Sequence, residues 1–295
     1  MLLSNIEMIN KYIEKGVYPP LILMGKKGIG KRLAADYIAS RILGTENIKN
    51  CMDYVLLKSE NGSILLDHLD KVKHKSMYHP ASGNYKVFVI DDANTMNVYS
   101  QNSLLKLIEE GSATNIFIFV AHEPLLDTIQ SRCEIIFFNV PLEDEVKNYF
   151  TRNNMELDET VMKMVDCRIG LYFSMIEDKQ FVNTCKNIIS SFLNMKRRRE
   201  LLEMFGQVNE KDNNFYEAYP KEKIIVFLNY FKSLFVDIIY EKAGVTKNNY
   251  PVNRLFSLKD CHEIINALDD HIYRMGSKAY SKNDFFDLIR TMVIK

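Results

Sequence analysis

The sequence predicts an α/β fold with a mostly parallel sheet in its first half and an all-α second half, and three observations carry that expectation. Short apolar runs alternate with amphipathic stretches as far as residue 140. A glycine-rich turn joins the first of these runs to a helix, and after Pro141 nothing alternates at period two. Strands alternating with helices imply βαβ units and a sheet covered on both faces.

Taken in order, Pro19-Pro20 precedes Leu21-Ile22-Leu23-Met24, which reads as a buried strand. Lys31 to Leu43 then places Leu33 with Tyr37, and Ala34 with Ile38, at helical spacing. Tyr54 to Leu57 is a second strand, Ile64 to Lys73 a helix, and Lys86 to Ile90 a third strand rich in β-branched residues. Asn102 to Glu110 reads as a helix with Leu104, Leu105 and Ile108 on one face, and Ile116 to Ala121 as a fourth strand. Leu125 to Gln130 is a short helix and Ile135 to Asn139 a fifth strand. Glu143 to Ile176 reads as short helices, with a further join near Asp178 to Asn187. Polar loops around Gln207 to Asn214 and Thr246 to Asn253 separate long helices. The expected division is 1–141 for an α/β domain, 142–182 for a set of short helices and 183–295 for a domain of longer helices.

Length and charge bound the function. A chain of 295 residues is long enough for two or three cores. Its 38 basic and 38 acidic residues cancel, so no global field draws the whole protein to nucleic acid or to an anionic membrane. The longest apolar runs fall far below the ~20 residues of a membrane span, and the N-terminus lacks the basic start and long apolar segment of a signal peptide. A cytoplasmic protein with no membrane partner is expected. Five scattered cysteines, Cys51, Cys133, Cys167, Cys185 and Cys261, form no C-x-x-C pair. His122-Glu123 lacks the second histidine of a zinc helix, so no metal held by protein ligands alone is expected.

The chemistry begins at Gly25-Lys26-Lys27-Gly28-Ile29-Gly30-Lys31-Arg32, which fits G-x-x-x-x-G-K between a buried strand and a helix. Gly25, Gly28 and Gly30 let backbone N–H groups approach phosphates, the helix N-terminus adds positive potential, and Lys31 can reach the outer phosphates. The next position ordinarily supplies a hydroxyl to magnesium, and Arg32 supplies a cation instead. The third strand ends in Asp91-Asp92. In P-loop enzymes the first acid supports magnesium and the second, usually Glu, orients the attacking water. Asp92 is one methylene short, a displacement of about an ångström that can cost ~100-fold in rate.

Asp91-Asp92-Ala93-Asn94-Thr95-Met96-Asn97, Asn102 to Glu110, and Ser131-Arg132-Cys133 together resemble the AAA+ subunits of bacterial DNA polymerase III clamp loaders, the delta-prime type in particular. The resemblance is tight over about residues 20 to 140 and continues loosely as a lid and a helical collar. It implies that Arg132, flanked by Ser131 and Cys133, is an arginine finger reaching the nucleotide of a neighbouring ATPase subunit. On the residues alone, Arg132 could also cap the short helix or pair with Asp127 or Glu134.

Departures from the family pattern weaken hydrolysis at this chain's own site. Of four zinc-binding cysteines carried by many relatives only Cys51 is present, so zinc is not expected. Ala121 aligns with a polar sensor and Phe173 with a basic sensor of the lid, with Arg168 one turn early. Gly111-Ser112 stands where relatives carry prolines. The implied protein is a largely non-hydrolysing stator of the delta-prime type. It needs no cofactor, and binds ATP or ADP at most weakly and without well-held magnesium. Its implied partners are other clamp-loader subunits, ATPase and delta-type, with the sliding clamp and primed DNA met through the complex. Two alternatives stay open, an ATPase in its own right and a DNA-binding initiator or helicase-loader module. The apolar stripe Ile224, Phe227, Leu228, Phe231, Leu234, Phe235 and Ile238 reads as core, and Lys196 to Arg199 as a solvated basic run or a phosphate contact.

Overall fold

The computed structural model describes residues 5–59, 63–110, 113–206, 214–245, 255–276 and 280–294. The expected loops at 207–213 and 246–253, and the pair Gly111-Ser112, lie outside the described residues. The chain divides into two compact units, Met1–Glu156 with Arg168–Gly170, and Leu157–Cys167 with Leu171–Lys295.

In the first unit, helix α1 (Ile6–Glu14) leads into β1 (Leu21–Met24), α2 (Lys31–Leu43), β2 (Tyr54–Leu57), α3 (Leu66–Ser76) and β3 (Lys86–Ile90). Helix α4 (Val98–Glu110), β4 (Asn115–Ala121), α5 (Asp127–Gln130), β5 (Glu134–Phe137) and α6 (Glu143–Arg152) follow. The five strands form one parallel sheet in the order β2-β3-β4-β1-β5.

Alternation along each strand sends successive side chains to opposite faces, and both faces are covered, which is why the strands read as unbroken apolar runs. Leu21, Leu23, Val87, Val89 and Ile118 pack on one face with Ile9 and Tyr12 of α1 and Ala34, Ala35, Ile38 and Ala39 of α2. Ile22, Phe88, Ile90, Phe117 and Phe119 pack on the other with Leu69 and Val72 of α3, Leu104 of α4 and Ile129. Phe88 stacks on Phe117 with ring centroids 5.0 Å apart, worth about 1 kcal/mol beyond burial alone.

The strands fall within a residue or two of expectation. The helix expected from Ile64 starts at Leu66, because Ile64 is spent on an isolated parallel bridge to Met96. Leu33 is exposed on α2 while Ala34 and Ile38 are fully buried, so the covered face lies one position on from the Leu33–Tyr37 pair.

The second unit is all helix among its described residues. After α7 (Glu159–Met164) and α8 (Ile169–Ile176), the helices α9 (Lys179–Asn194), α10 (Glu200–Gly206), α11 (Phe215–Ala218), α12 (Lys221–Lys242), α13 (Leu258–Met275) and α14 (Lys282–Ile294) build it. The join expected near Asp178 to Asn187, and the boundary between 182 and 183, fall inside α9. That helix runs unbroken from its cap, the Asp178 carboxylate, which accepts from the Phe181 N–H at 3.0 Å. Every residue of the α12 stripe from Ile224 to Ile238 named above is buried, among aromatic partners that include Phe192, Phe205, Phe215 and Phe256. Within the basic run, Arg198 is a structural side chain. It donates to the Leu255 carbonyl at 2.7 Å, pairs with Asp260 and lies 4.8 Å from the centre of the Phe256 ring. No helix among the described residues is long and apolar enough to cross a membrane.

Candidate functional site

The carboxyl ends of β1, β4 and β3 lie side by side, since Met24 pairs with Ala121 and Phe119 with Ile90. This is where an open α/β sheet presents a ligand crevice. The turn after β1, the acids after β3 and His122 after β4 therefore converge, although they are spread over about a hundred residues of sequence.

Gly25, Gly28 and Gly30 all take positive φ, as the cradle requires. At Gly25 the need for glycine is absolute, because φ is 150° and a Cβ would sit 2.3 Å from the Phe138 carbonyl oxygen. The N–H of Gly25 continues the ladder to the Ala121 carbonyl at 3.2 Å. Gly170, at the start of α8 and part of the first unit, donates its N–H to the Gly28 carbonyl at 2.8 Å. Arg168 shares that short segment of the first unit, whereas Phe173 belongs to the second.

Lys31 is 5 % exposed and donates from Nζ to the carbonyls of Gly25 at 2.6 Å and Lys26 at 2.7 Å. Burial pulls its pKa down to about 8 against the opposing pull of Asp92 and Asp91. Arg32 turns toward the acids. Its Nε donates to Asp36 Oδ1 at 2.9 Å, its Nη2 to the Tyr54 hydroxyl at 2.8 Å, and its Nη1 lies 3.4 Å from Asp91 Oδ2. Tyr54 in turn donates to Asp36 at 2.6 Å. Burial disfavours the guanidinium charge, but Tyr54, Asp36 and Asp91 outweigh it and hold its pKa above the ordinary arginine value. The acid that would carry magnesium is thus met by a fixed organic cation, with no hydroxyl at position 32, and these residues do not fit a magnesium ion.

Asp92 occupies the left-handed region at φ 53°, a conformation that costs a non-glycine residue energy. Thr95 steadies it by donating to the Asp92 carbonyl from its N–H at 2.9 Å and its hydroxyl at 2.8 Å. The Asp92 carboxylate faces His122 Nδ1 at 3.7 Å. Asn94 holds the same histidine, accepting from its backbone N–H at 3.1 Å and lying 3.0 Å from Nε2 through its amide nitrogen. Burial lowers the His122 pKa against the opposing pull of Asp92 and so favours the neutral ring. The family resemblance puts Ala121 at the sensor position, but Ala121 is fully buried in the core. The polar group facing Asp92 is His122, the next residue after Ala121, which the pleat delivers one position later than the resemblance places the sensor.

Ser131-Arg132-Cys133 sits at the other end of the sheet, just before β5. Arg132 Nε donates to Glu109 Oε1 at 2.5 Å, and Nη1 donates to the Thr128 carbonyl at 2.9 Å and lies 3.4 Å from Ser131 Oγ. The expected partners Asp127 and Glu134 are not those it takes. Glu134 is held by Lys15 at 2.7 Å, and the partner is Glu109, 23 residues upstream. The helix-capping alternative is realised through Thr128. Ser131 also donates to Thr128, at 3.1 Å. Cys133 packs against the core, and burial pushes its thiol up to about 12, so it anchors the triplet without thiolate chemistry. Among the described residues no three His, Cys, Asp or Glu side chains gather as a metal ion would need.

Fold and site together have the architecture of an AAA+ module of the α/β class, with the phosphate turn after β1 and the acids after β3, two strands away. Residues 4–141 match the family model described as DNA polymerase III, delta subunit. The chain is 31% identical over 132 residues to DNA polymerase III subunit delta' of Pseudomonas aeruginosa, covering 38% of this chain and 40% of that protein. It is 27% identical over 168 residues to the replication factor C small subunit of Staphylothermus marinus, covering 54% of this chain and 50% of that one. The chain thus spans half or less of the length of these curated relatives. A solved gamma subunit-related protein of Thermotoga maritima shares the fold over 99% of both chains, with a TM-score of 0.60 at 16% identity. Residues 4–141, just under half of the chain, are thus similar to clamp-loader subunits of the AAA+ family.

Proposed function

We propose that this chain is a delta-prime-type subunit of a DNA polymerase III clamp loader, a largely non-hydrolysing stator that helps place a sliding clamp on primed DNA during replication. The observation that carries the reading is the Arg32 guanidinium against Asp91, in the position a magnesium ion would need. A chain so built contributes to catalysis by giving rather than by turning over. Arg132, with about two-fifths of its side chain exposed, would reach the nucleotide of a neighbouring ATPase subunit and neutralise charge developing on the γ-phosphate. Its partners in this reading are the ATPase and delta-type subunits of a hetero-oligomeric ring, in a division of 1–141, 142–182 and 183–295 into nucleotide-type, lid and collar domains. No cofactor is needed in this reading, and ATP or ADP would bind only weakly.

The test is the complete assembly reconstituted with Arg132→Ala. An arginine finger is worth ~10³-fold or more in rate, so DNA-stimulated hydrolysis by the neighbouring subunit should fall by at least that order at the affected site. Unchanged hydrolysis removes the assignment.

A second reading, an ATPase in its own right, draws support from His122 facing Asp92, which restores a polar group beside the second acid. Hydrolysis by the purified chain that Lys31→Ala abolishes would establish that reading and dismiss the stator.

A further inference from the structure

An arginine that acts across an interface must be held so that its outer nitrogens point away from its own chain, because a flexible guanidinium loses the advantage of fixed geometry. Arg132 has five N–H donors in a rigid fork. Glu109 takes the Nε edge at 2.5 Å, and the Thr128 carbonyl takes Nη1 at 2.9 Å. The two bonds hold the Nε–H and Nη1 edges of the fork, and among the described residues Nη2 makes no hydrogen bond or ion pair within its own chain.

Glu109 is itself well placed to do this. It lies in the last turn of α4, and α4 is tied to the approach of α5 a second time, through buried Gln101. The Gln101 side chain accepts from the Leu126 N–H at 2.9 Å and donates to the Met96 carbonyl at 3.0 Å. Gln101 and Glu109 are eight residues apart on α4, a span of about 12 Å, and their partners Leu126 and Arg132 flank α5 on either side. The segment bearing the arginine is therefore splinted against α4 at both ends, and Glu109 forms the outer tie.

We infer that Glu109 is a positioning residue for Arg132, fixing the Nε edge so that Nη2 is presented to a phosphate of a neighbouring chain. This rests on the reading of Arg132 as a group acting in trans. An exposed ion pair adds little to stability, so the Glu109 pair acts on geometry rather than on folding.

The test uses the complete assembly on primed DNA, with the neighbouring subunit's ATP hydrolysis measured for the native chain and for Glu109→Ala, Glu109→Gln, Arg132→Ala and the Glu109→Ala/Arg132→Ala pair. Loss of orientation by about an ångström should lower kcat at the affected site about tenfold or more while KM stays within about twofold. Glu109→Gln keeps an oxygen acceptor for Nε and should recover most of the rate, and the double variant should be no slower than Arg132→Ala alone. Native kcat for Glu109→Ala beside a slow Arg132→Ala overturns the role of Glu109 and leaves that of Arg132 standing. A Glu109→Ala defect that Glu109→Gln does not relieve also overturns it. Native kcat for Arg132→Ala strikes out the in-trans reading itself.

Discussion

Replacing Arg32 with Thr restores the hydroxyl that a magnesium-binding phosphate turn carries, and the structure sets the size of the effect. A magnesium ion ligated by Asp91 would sit ~2.1 Å from the carboxylate oxygen. Nη1 of Arg32 lies 3.4 Å from that same oxygen. The two cations would then be no more than about 5.5 Å apart. At that distance the repulsion between a divalent ion and a guanidinium is about 1.5 kcal/mol in bulk water and about 6 kcal/mol at the effective dielectric of a protein surface. Even the lower figure is a factor of about ten in affinity. Calorimetric titration of the full chain with ATP, in magnesium and in EDTA, reads this directly. The native chain should gain nothing from magnesium, whereas Arg32→Thr should bind at least about tenfold more tightly with the metal than without it. Circular dichroism confirms that the variant is folded, since Tyr54 and Asp36 keep their own hydrogen bond. A native chain that binds ATP tenfold more tightly in magnesium than in EDTA refutes the argument that Arg32 fills the metal's place.

Two further outcomes test the turn itself. Lys31 has a folded pKa of about 8 against an ordinary 10.5. The unfolded chain therefore binds more protons between those values, and stability must rise with pH. Relative to Lys31→Met, the native chain should gain about 2 kcal/mol between pH 7 and pH 9.5 in urea unfolding, and a constant difference would show that Lys31 is not held in this way. Gly170→Ala would put a Cβ 2.8 Å from the Gly28 carbonyl oxygen. Loss of about 1–2 kcal/mol, with faster amide exchange at Gly170, is expected, and an unchanged melting temperature would mean that the contact yields freely.

What could be read from the sequence divides along a physical line. Strands β1 to β4 and helix α2 were legible because both faces of the sheet are covered, so each strand is a run of apolar residues bounded by turn formers. The phosphate turn was legible because its residues are contiguous. Side-chain networks across the fold were not. Arg32 meets Tyr54 and Asp91, 22 and 59 residues away, and periodicity carries no signal of which distant acid a guanidinium will choose. Arg132 choosing Glu109 over the nearer Asp127 and Glu134 is the same case, decided by α5 lying along α4 and by Lys15 already holding Glu134. The resemblance places the sensor at Ala121, one residue short of His122, since the pleat turns Ala121 into the core and only the next side chain clears the sheet. The join expected near Asp178 to Asn187 falls on α9, which runs unbroken from Lys179 to Asn194.

The parallel pairing of β1 with β5, Leu21 opposite Glu134 and Met24 opposite Phe137, has a consequence of direction. The turn at Gly25 leaves the top of one strand, while Arg132 enters at the foot of its neighbour, about 13 Å below along the strand axis. A module drawn this way has two unlike edges, and copies joined through unlike edges form a row with a head and a tail. A row of fully working modules could be extended indefinitely, each one lending an arginine forward and borrowing one from behind. On the proposed reading, in which Arg132 is lent forward while Arg32 stands at this chain's own site, the chain would need no neighbour behind it and would act as a full stop to such a row.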